Sequence, residues 1–221
     1  LRGYAANELQ MGNPVQAMQG YVSNIRVLAV CRKLLTLYGL AFLFNGDTQK
    51  AIEVMKAALD LAPDMSKTRL ALADALNRTG DKQEALKELE QAFQYAPDDI
   101  TIQARLLSHY EVLKETAKIN SLVDKLSTSK NPQSRALAGL TLLNSEPDRA
   151  RQIIDDAYSA LPTNNYTINA KLIESIKRNS PADIIRYSNE LLEQEPNHIF
   201  ALSSAASVKA KTGGDSGALS Y

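Results

Sequence analysis

The chain has 221 residues, and its 25 lysines and arginines are matched by 25 aspartates and glutamates. That balance removes the basic footprint most nucleic-acid binders carry, and a single cysteine, Cys31, excludes an intrachain disulfide and a cysteine-rich metal site. The length exceeds an ordinary single core, but a stack of small modules grows without enlarging any one core, so a single array over 1–221 is expected.

Leu1, Tyr4, Ala5, Gly12, Ala17 and Tyr21 open the chain as an incomplete copy of a pattern that becomes clear further on. Asn13 ahead of Pro14 is a helix-start signal, a capping side chain before a proline at the first helical position. The most apolar stretch, Val27 to Phe44, is interrupted by Arg32 and Lys33, and the apolar run beyond them is too short to cross a bilayer. It is expected in the core, with Cys31 as a small buried thiol and no direct membrane insertion.

Residues 32–65 form the reference copy. Leu35, Tyr38, Gly39 and Phe42 share one face of a helix running from Arg32 to about Asn45. Gly46 and Asp47 break it, Thr48 is expected to cap a second helix, Ala51, Met55 and Ala58 form that helix's apolar stripe, and Pro63 ends it. Residues 66–99 repeat the plan with Leu72, Ala73, Leu76, Gly80, Ala85, Leu89, Ala92 and Pro97, although Arg69 stands where Leu35 predicts an apolar side chain. Two helices approach closely only where side chains are short, so a larger residue at Ala51 or Ala85 is expected to overpack at a cost of about 1 to 3 kcal/mol.

The step is 34 residues. It links Gly12, Gly46 and Gly80, then Ala17, Ala51 and Ala85, then Pro63 and Pro97, and later Pro162 and Pro196. Residues 100–133 keep Leu106, Leu107, Tyr110, Val123 and Leu126, with Ile119 in the small-residue position. Residues 134–164 keep Leu137, Leu140, Ala150, Ile154 and Ala157 with a shortened turn. In 165–198, Lys171 and Ser175 fall on expected apolar positions, so the first helix there is expected to rotate onto Leu172, Ile173 and Ile176. Ser180, Pro181 and Asp183 mark the next helix start. Residues 199–221 begin a further copy, and no alternating strand pattern competes, so the fold class is all-α.

The run of an apolar residue, leucine, glycine, an aromatic, paired alanines and a closing proline resembles the tetratricopeptide repeat, most strongly over 32–99. The resemblance implies units at about 1–31, 32–65, 66–99, 100–133, 134–164, 165–198 and 199–221. It also implies antiparallel helix hairpins stacked into a right-handed superhelix. Both ends would be cuts through a longer array, whose apolar faces would offer a route to self-association.

The resemblance further implies a concave face lined by first helices, where a peptide or a partner's helix binds. The expected partner-binding residues are Lys33, Leu40, Leu43, Lys67, Asp74, Asn77, Arg78, Ser108 and Glu111, with Phe44 beside them. This groove begins apolar at Leu40 and Leu43 and turns polar. The competing readings are a preceding unit that covers the two leucines, and a solvated, mutually paired face for Lys67, Asp74 and Arg78. Tyr166, Asn169, Phe200 and Ser203 would extend the groove. A chaperone-tail clamp is not reproduced, because Leu37 stands one turn after Lys33 where that clamp has asparagine.

Catalytic patterns are weak. His109 and His198 are far apart and lack zinc-helix spacing, Ser108 and His109 are helix neighbours that point in different directions, and Gly213 to Gly217 lacks the lysine of a phosphate loop. The expectation is a non-catalytic protein-interaction scaffold without metal or cofactor. A structural spacer in a bacterial envelope or polysaccharide-export assembly is the alternative. An RNA-binding helical repeat is disfavoured by the charge balance, so no nucleic-acid partner is expected.

Overall fold

The computed structural model describes residues 25–213, and the side chains of 32–211. The incomplete first copy, the Asn13–Pro14 start, the Cys31 side chain and Gly214 to Gly217 lie outside those bounds. Among the described residues there are eleven helices and no strand. They fall into two compact units, 1–115 and 116–221.

The first unit holds α1 (Ile25–Phe44), α2 (Thr48–Leu61), α3 (Ser66–Thr79), α4 (Lys82–Tyr95) and α5 (Ile100–Val112). Helix α1 starts seven residues before the expected Arg32. Nothing between Ile25 and Tyr38 is glycine or proline, and Ala29 stands where a closing proline would end a helix, so the turns simply continue. Consecutive helices pack in pairs, α1 on α2 and α3 on α4, with α2 on α3 and α4 on α5 joining the pairs.

Leu35, Val54 and Ala58 form one buried cluster, with Phe42 and Leu61 against it. Small residues set the closeness of a pair as expected: a Cβ on Gly39 would lie 2.6 Å from Met55 Cγ, and Ala51 and Ala85 are fully buried. Thr48 does not cap α2. The Gly46 turn, at φ 87°, carries Asp47 into the position before the helix, and Thr48 becomes its first residue.

Arg69 is buried to 8% exposure without disrupting the pattern. Its guanidinium meets Glu88 of α4 at 2.5 Å, its Nε donates to the Pro63 carbonyl at 2.8 Å, and the group lies over the Tyr95 ring. A buried cation is tolerable when its charge and its N–H groups are met.

The second unit holds α6 (Thr116–Ser127), α7 (Pro132–Leu142), α8 (Pro147–Ala160), α9 (Asn165–Lys177), α10 (Pro181–Gln194) and α11 (Ile199–Gly213). Ala136, Ile154, Ala157 and Ala170 form one buried cluster, and Ile168, Leu172, Ile184, Tyr187, Leu191 and Ala201 form another. Asn131 and Asn164 cap α7 and α9 by accepting main-chain N–H bonds at 2.9 Å. Ser180 precedes α10, but its hydroxyl donates to Asp183 at 2.8 Å instead of accepting from the helix end.

The expected rotation of α9 does not occur. Lys171 and Ser175 are buried, Ile173 is half-buried and Ile176 is exposed. The polar groups stay in the expected apolar positions because each is satisfied there. The Lys171 ammonium pairs with Asp155 of α8, lies 3.7 Å from Glu174 and 5.2 Å from the Tyr187 ring centre, and the Ser175 hydroxyl donates to the Leu172 carbonyl.

Candidate functional site

Three first helices of the first unit, α1, α3 and α5, place residues around two adjoining concavities. One of about 400 Å³ is lined by Leu40, Leu43 and Phe44 from α1, Asp74, Asn77 and Arg78 from α3, and Arg105 from α5. The other, of about 280 Å³, adds Lys82 and Leu89 from α4 and Ser108, His109 and Val112 from α5, and shares Asp74, Asn77 and Arg105 with the first. Six of the nine expected residues are therefore brought together: Leu40, Leu43, Asp74, Asn77, Arg78 and Ser108. Lys33, Lys67 and Glu111 are exposed and line neither concavity.

Leu43 is not the exposed anchor the sequence suggested. It is 8% exposed, at the groove floor, where the Arg78 guanidinium donates to its main-chain carbonyl at 3.2 Å and ties α3 to the end of α1. Phe44, at 88% exposure, is the open apolar group at that end. The mutual pairing considered for Lys67, Asp74 and Arg78 is also absent, since Asp74 instead faces Arg105 at 3.6 Å. Arg105 was missed although the signal was present, because it lies three residues before Ser108 and four after Thr101 on the same helical face.

His109 is 5% exposed while Ser108 beside it is exposed, which separates the two as the helical angle requires. Its Nε2 lies 2.8 Å from the Lys82 carbonyl and its Nδ1 3.4 Å from Asn77 Nδ2. His198 has a local role, accepting from the Ala201 N–H at the start of α11. No group of three histidine, cysteine, aspartate or glutamate residues is placed to hold a metal among the described residues, and none of the described helices is long and apolar enough to cross a membrane.

The expected extension is split. Within the second unit, Phe200 and Ser203 line a concavity of about 320 Å³ with Ile176, Pro181, Ile184 and Val208. Tyr166 instead packs against the Ala136 and Ile154 cluster, and burial pushes its phenol pKa up.

A family model described as tetratricopeptide repeat matches residues 43–110, the span that builds most of this groove. Residues 43–110 carry tetratricopeptide repeats. Repeats of this kind are, as a class, interaction modules and generally non-catalytic. A tetratricopeptide repeat protein from Parabacteroides merdae superposes with a TM-score of 0.57 at 22% identity, covering 85% of this chain and 76% of that one. PilF of Pseudomonas aeruginosa superposes at 0.60 and 15% identity, covering 88% and 90%. Both likenesses are of fold. Among curated proteins, human DnaJ homolog subfamily C member 3 is 23% identical over 211 residues, 93% of this chain, and the chain spans 38% of that relative's length.

Proposed function

We propose that the repeats of the first unit dock an extended protein segment along the groove from Leu40 and Phe44 to Ser108 and Val112, and that the chain works as a non-catalytic scaffold. The observation that carries this reading is the convergence of Leu40, Asp74, Asn77, Arg78, Arg105 and Ser108, from three separate helices, on adjoining concavities. An exposed aromatic at one end, with hydrogen-bonding side chains beyond it, suits a segment that has an apolar anchor and a polar stretch.

The test is a random-peptide display selection on the purified chain. The peptides recovered are then labelled and titrated against Leu40→Asp, Asn77→Ala and the distant control Lys56→Ala. Affinity is expected to fall about tenfold in each groove variant. The control should be unaffected, with the helical circular dichroism of all three unchanged. Undiminished affinity in both groove variants would remove the assignment.

A further inference from the structure

The His109 ring is held by two bonds whose chemistry decides its tautomer. The Lys82 carbonyl, 2.8 Å from Nε2, can only accept, so Nε2 carries the proton. In the neutral ring Nδ1 is then an acceptor, and the group facing it at 3.4 Å is the Asn77 amide nitrogen. The amide is thereby oriented with its NH₂ toward the ring and its oxygen turned away. Asn77 lines both concavities, so the orientation of one amide sets the hydrogen-bonding character of the middle of the groove.

We infer that His109 is a positioning residue that fixes Asn77 with its oxygen presented to the docked segment, so that the groove accepts a main-chain N–H there, and that protonation of the ring reverses this. The inference rests on the docking role proposed above. An imidazolium donates from both nitrogens, so Nδ1–H would confront the Asn77 NH₂. Rotating the amide by half a turn restores a bond to the ring and presents NH₂ to the groove, where a segment's N–H finds no acceptor.

The charged groups around the ring come from every neighbouring element. Asp74 of α3, Lys82 of α4 and Arg105 of α5 line the same concavity as the ring, Arg78 of α3 lines the adjoining one, and in the sequence Asp81 precedes Lys82 and Glu111 lies two residues after His109. Asp81 is occupied by the Thr79 hydroxyl at 2.7 Å, and Asp74 faces Arg105. Neither carboxylate contacts the ring, so Asn77 takes up the change.

Long-range nitrogen–proton spectra of the labelled, ligand-free chain test the first half. The neutral ring should be protonated at Nε2, and the Asn77 side-chain amide resonances should move together with the ring as it is titrated. The second half uses a labelled peptide from the display selection. Its affinity should fall about tenfold when the ring is protonated, or in His109→Leu, the size expected for one hydrogen bond to the segment. His109→Gln, which offers one donor and one acceptor as the neutral ring does, should restore binding and make it independent of pH. An Nδ1–H tautomer, an Asn77 amide indifferent to the titration, or a glutamine variant as weak as the leucine one would each overturn the inference. A chain that binds no peptide while ring and amide still titrate together sinks the docking role and the specificity drawn from it.

Discussion

Gly39 and Gly139 occupy the same kind of close helix crossing, yet the atoms they meet predict different costs. A Cβ on Gly39 would strike Met55 Cγ at 2.6 Å and Cε at 3.0 Å, in a fully buried but unbranched side chain that must shift from near its root. One on Gly139 would meet Ile154 Cγ1 at 2.5 Å and the Ala150 carbonyl at 3.0 Å, a β-branched side chain and a backbone. Alanine gains about 1 kcal/mol of helix propensity over glycine, which offsets most of the cost of shifting an unbranched side chain, so Gly39→Ala should lose less than about 1 kcal/mol. Gly139→Ala should lose about 1 to 2 kcal/mol net, because overpacking against atoms that cannot move costs more than the propensity returns. Urea unfolding of the two variants measures the difference. Arg69 permits a second comparison. Removing it in Arg69→Met strands Glu88, whose side chain is 17% exposed, at a cost of about 3 kcal/mol. The double variant with Glu88→Met should recover most of that loss, and a double variant no better than the single would refute the pairing argument.

Among elements, four of the turns between successive helices share a requirement that the residues meet unevenly. Gly46, Gly80, Lys114 and Asn179 all adopt left-handed backbone, with φ of 87°, 92°, 58° and 54°. At Gly80 this lets the following chain turn back, with the Asp81 N–H on the Leu76 carbonyl at 2.9 Å. A lysine pays for its Cβ in this conformation, so Lys114→Gly is expected to raise stability by about 0.5 kcal/mol, and Gly80→Ala to lower it by about 1 kcal/mol. Both shifts are readable from denaturation midpoints. A second recurring device joins one hairpin to the next. Arg69 donates to the Pro63 carbonyl, Gln103 to Pro97, Arg135 to Ser129 and Thr167 to Leu161, each six residues back. Three different residue types at four positions do one job, which is why the 34-residue step visible in the glycines, alanines and prolines did not reveal it.

For the molecule as a whole, the response to pH follows from the ion network of the second unit. Burial alone would raise the Glu174 carboxyl, but Arg151 and Arg178 each donate to it at 3.0 Å, and together with Lys171 they hold it below the ordinary value. Asp183 is held low by the Ser180 hydroxyl and Arg178. A carboxyl lowered by folding contributes stability that is complete above its unfolded value of about 4 and is lost as pH falls through the folded one. For Lys171, burial alone would lower the pKa, but Asp155, Tyr187 and Glu174 outweigh it and raise the value. Its contribution is therefore complete below about pH 10 and is lost as pH rises through the folded value. The second unit should show a plateau of stability from about pH 5 to about pH 10 and decline on both sides. Glu174→Gln should lower that plateau by about 2 to 4 kcal/mol and flatten the acid limb. Urea titrations followed through the resonances of α9 test this, and an acid limb unchanged in the variant would refute it.

The sequence by itself determined the helices, their order and the close crossings, because helical period, chain-breaking residues and small side chains act over a few residues and leave their spacing in the text. It also placed six groove residues on faces that do converge. Only the tertiary structure decided that Leu43 lies in the floor, that Arg105 joins the groove, that His109 bonds Asn77, and that Lys171 stays buried beside Asp155 and Glu174. Each of those depends on what a neighbouring helix, 16 to 35 residues away, brings within bonding distance. Periodicity specifies which way a side chain points, and the satisfaction of a polar group is settled by what it meets there.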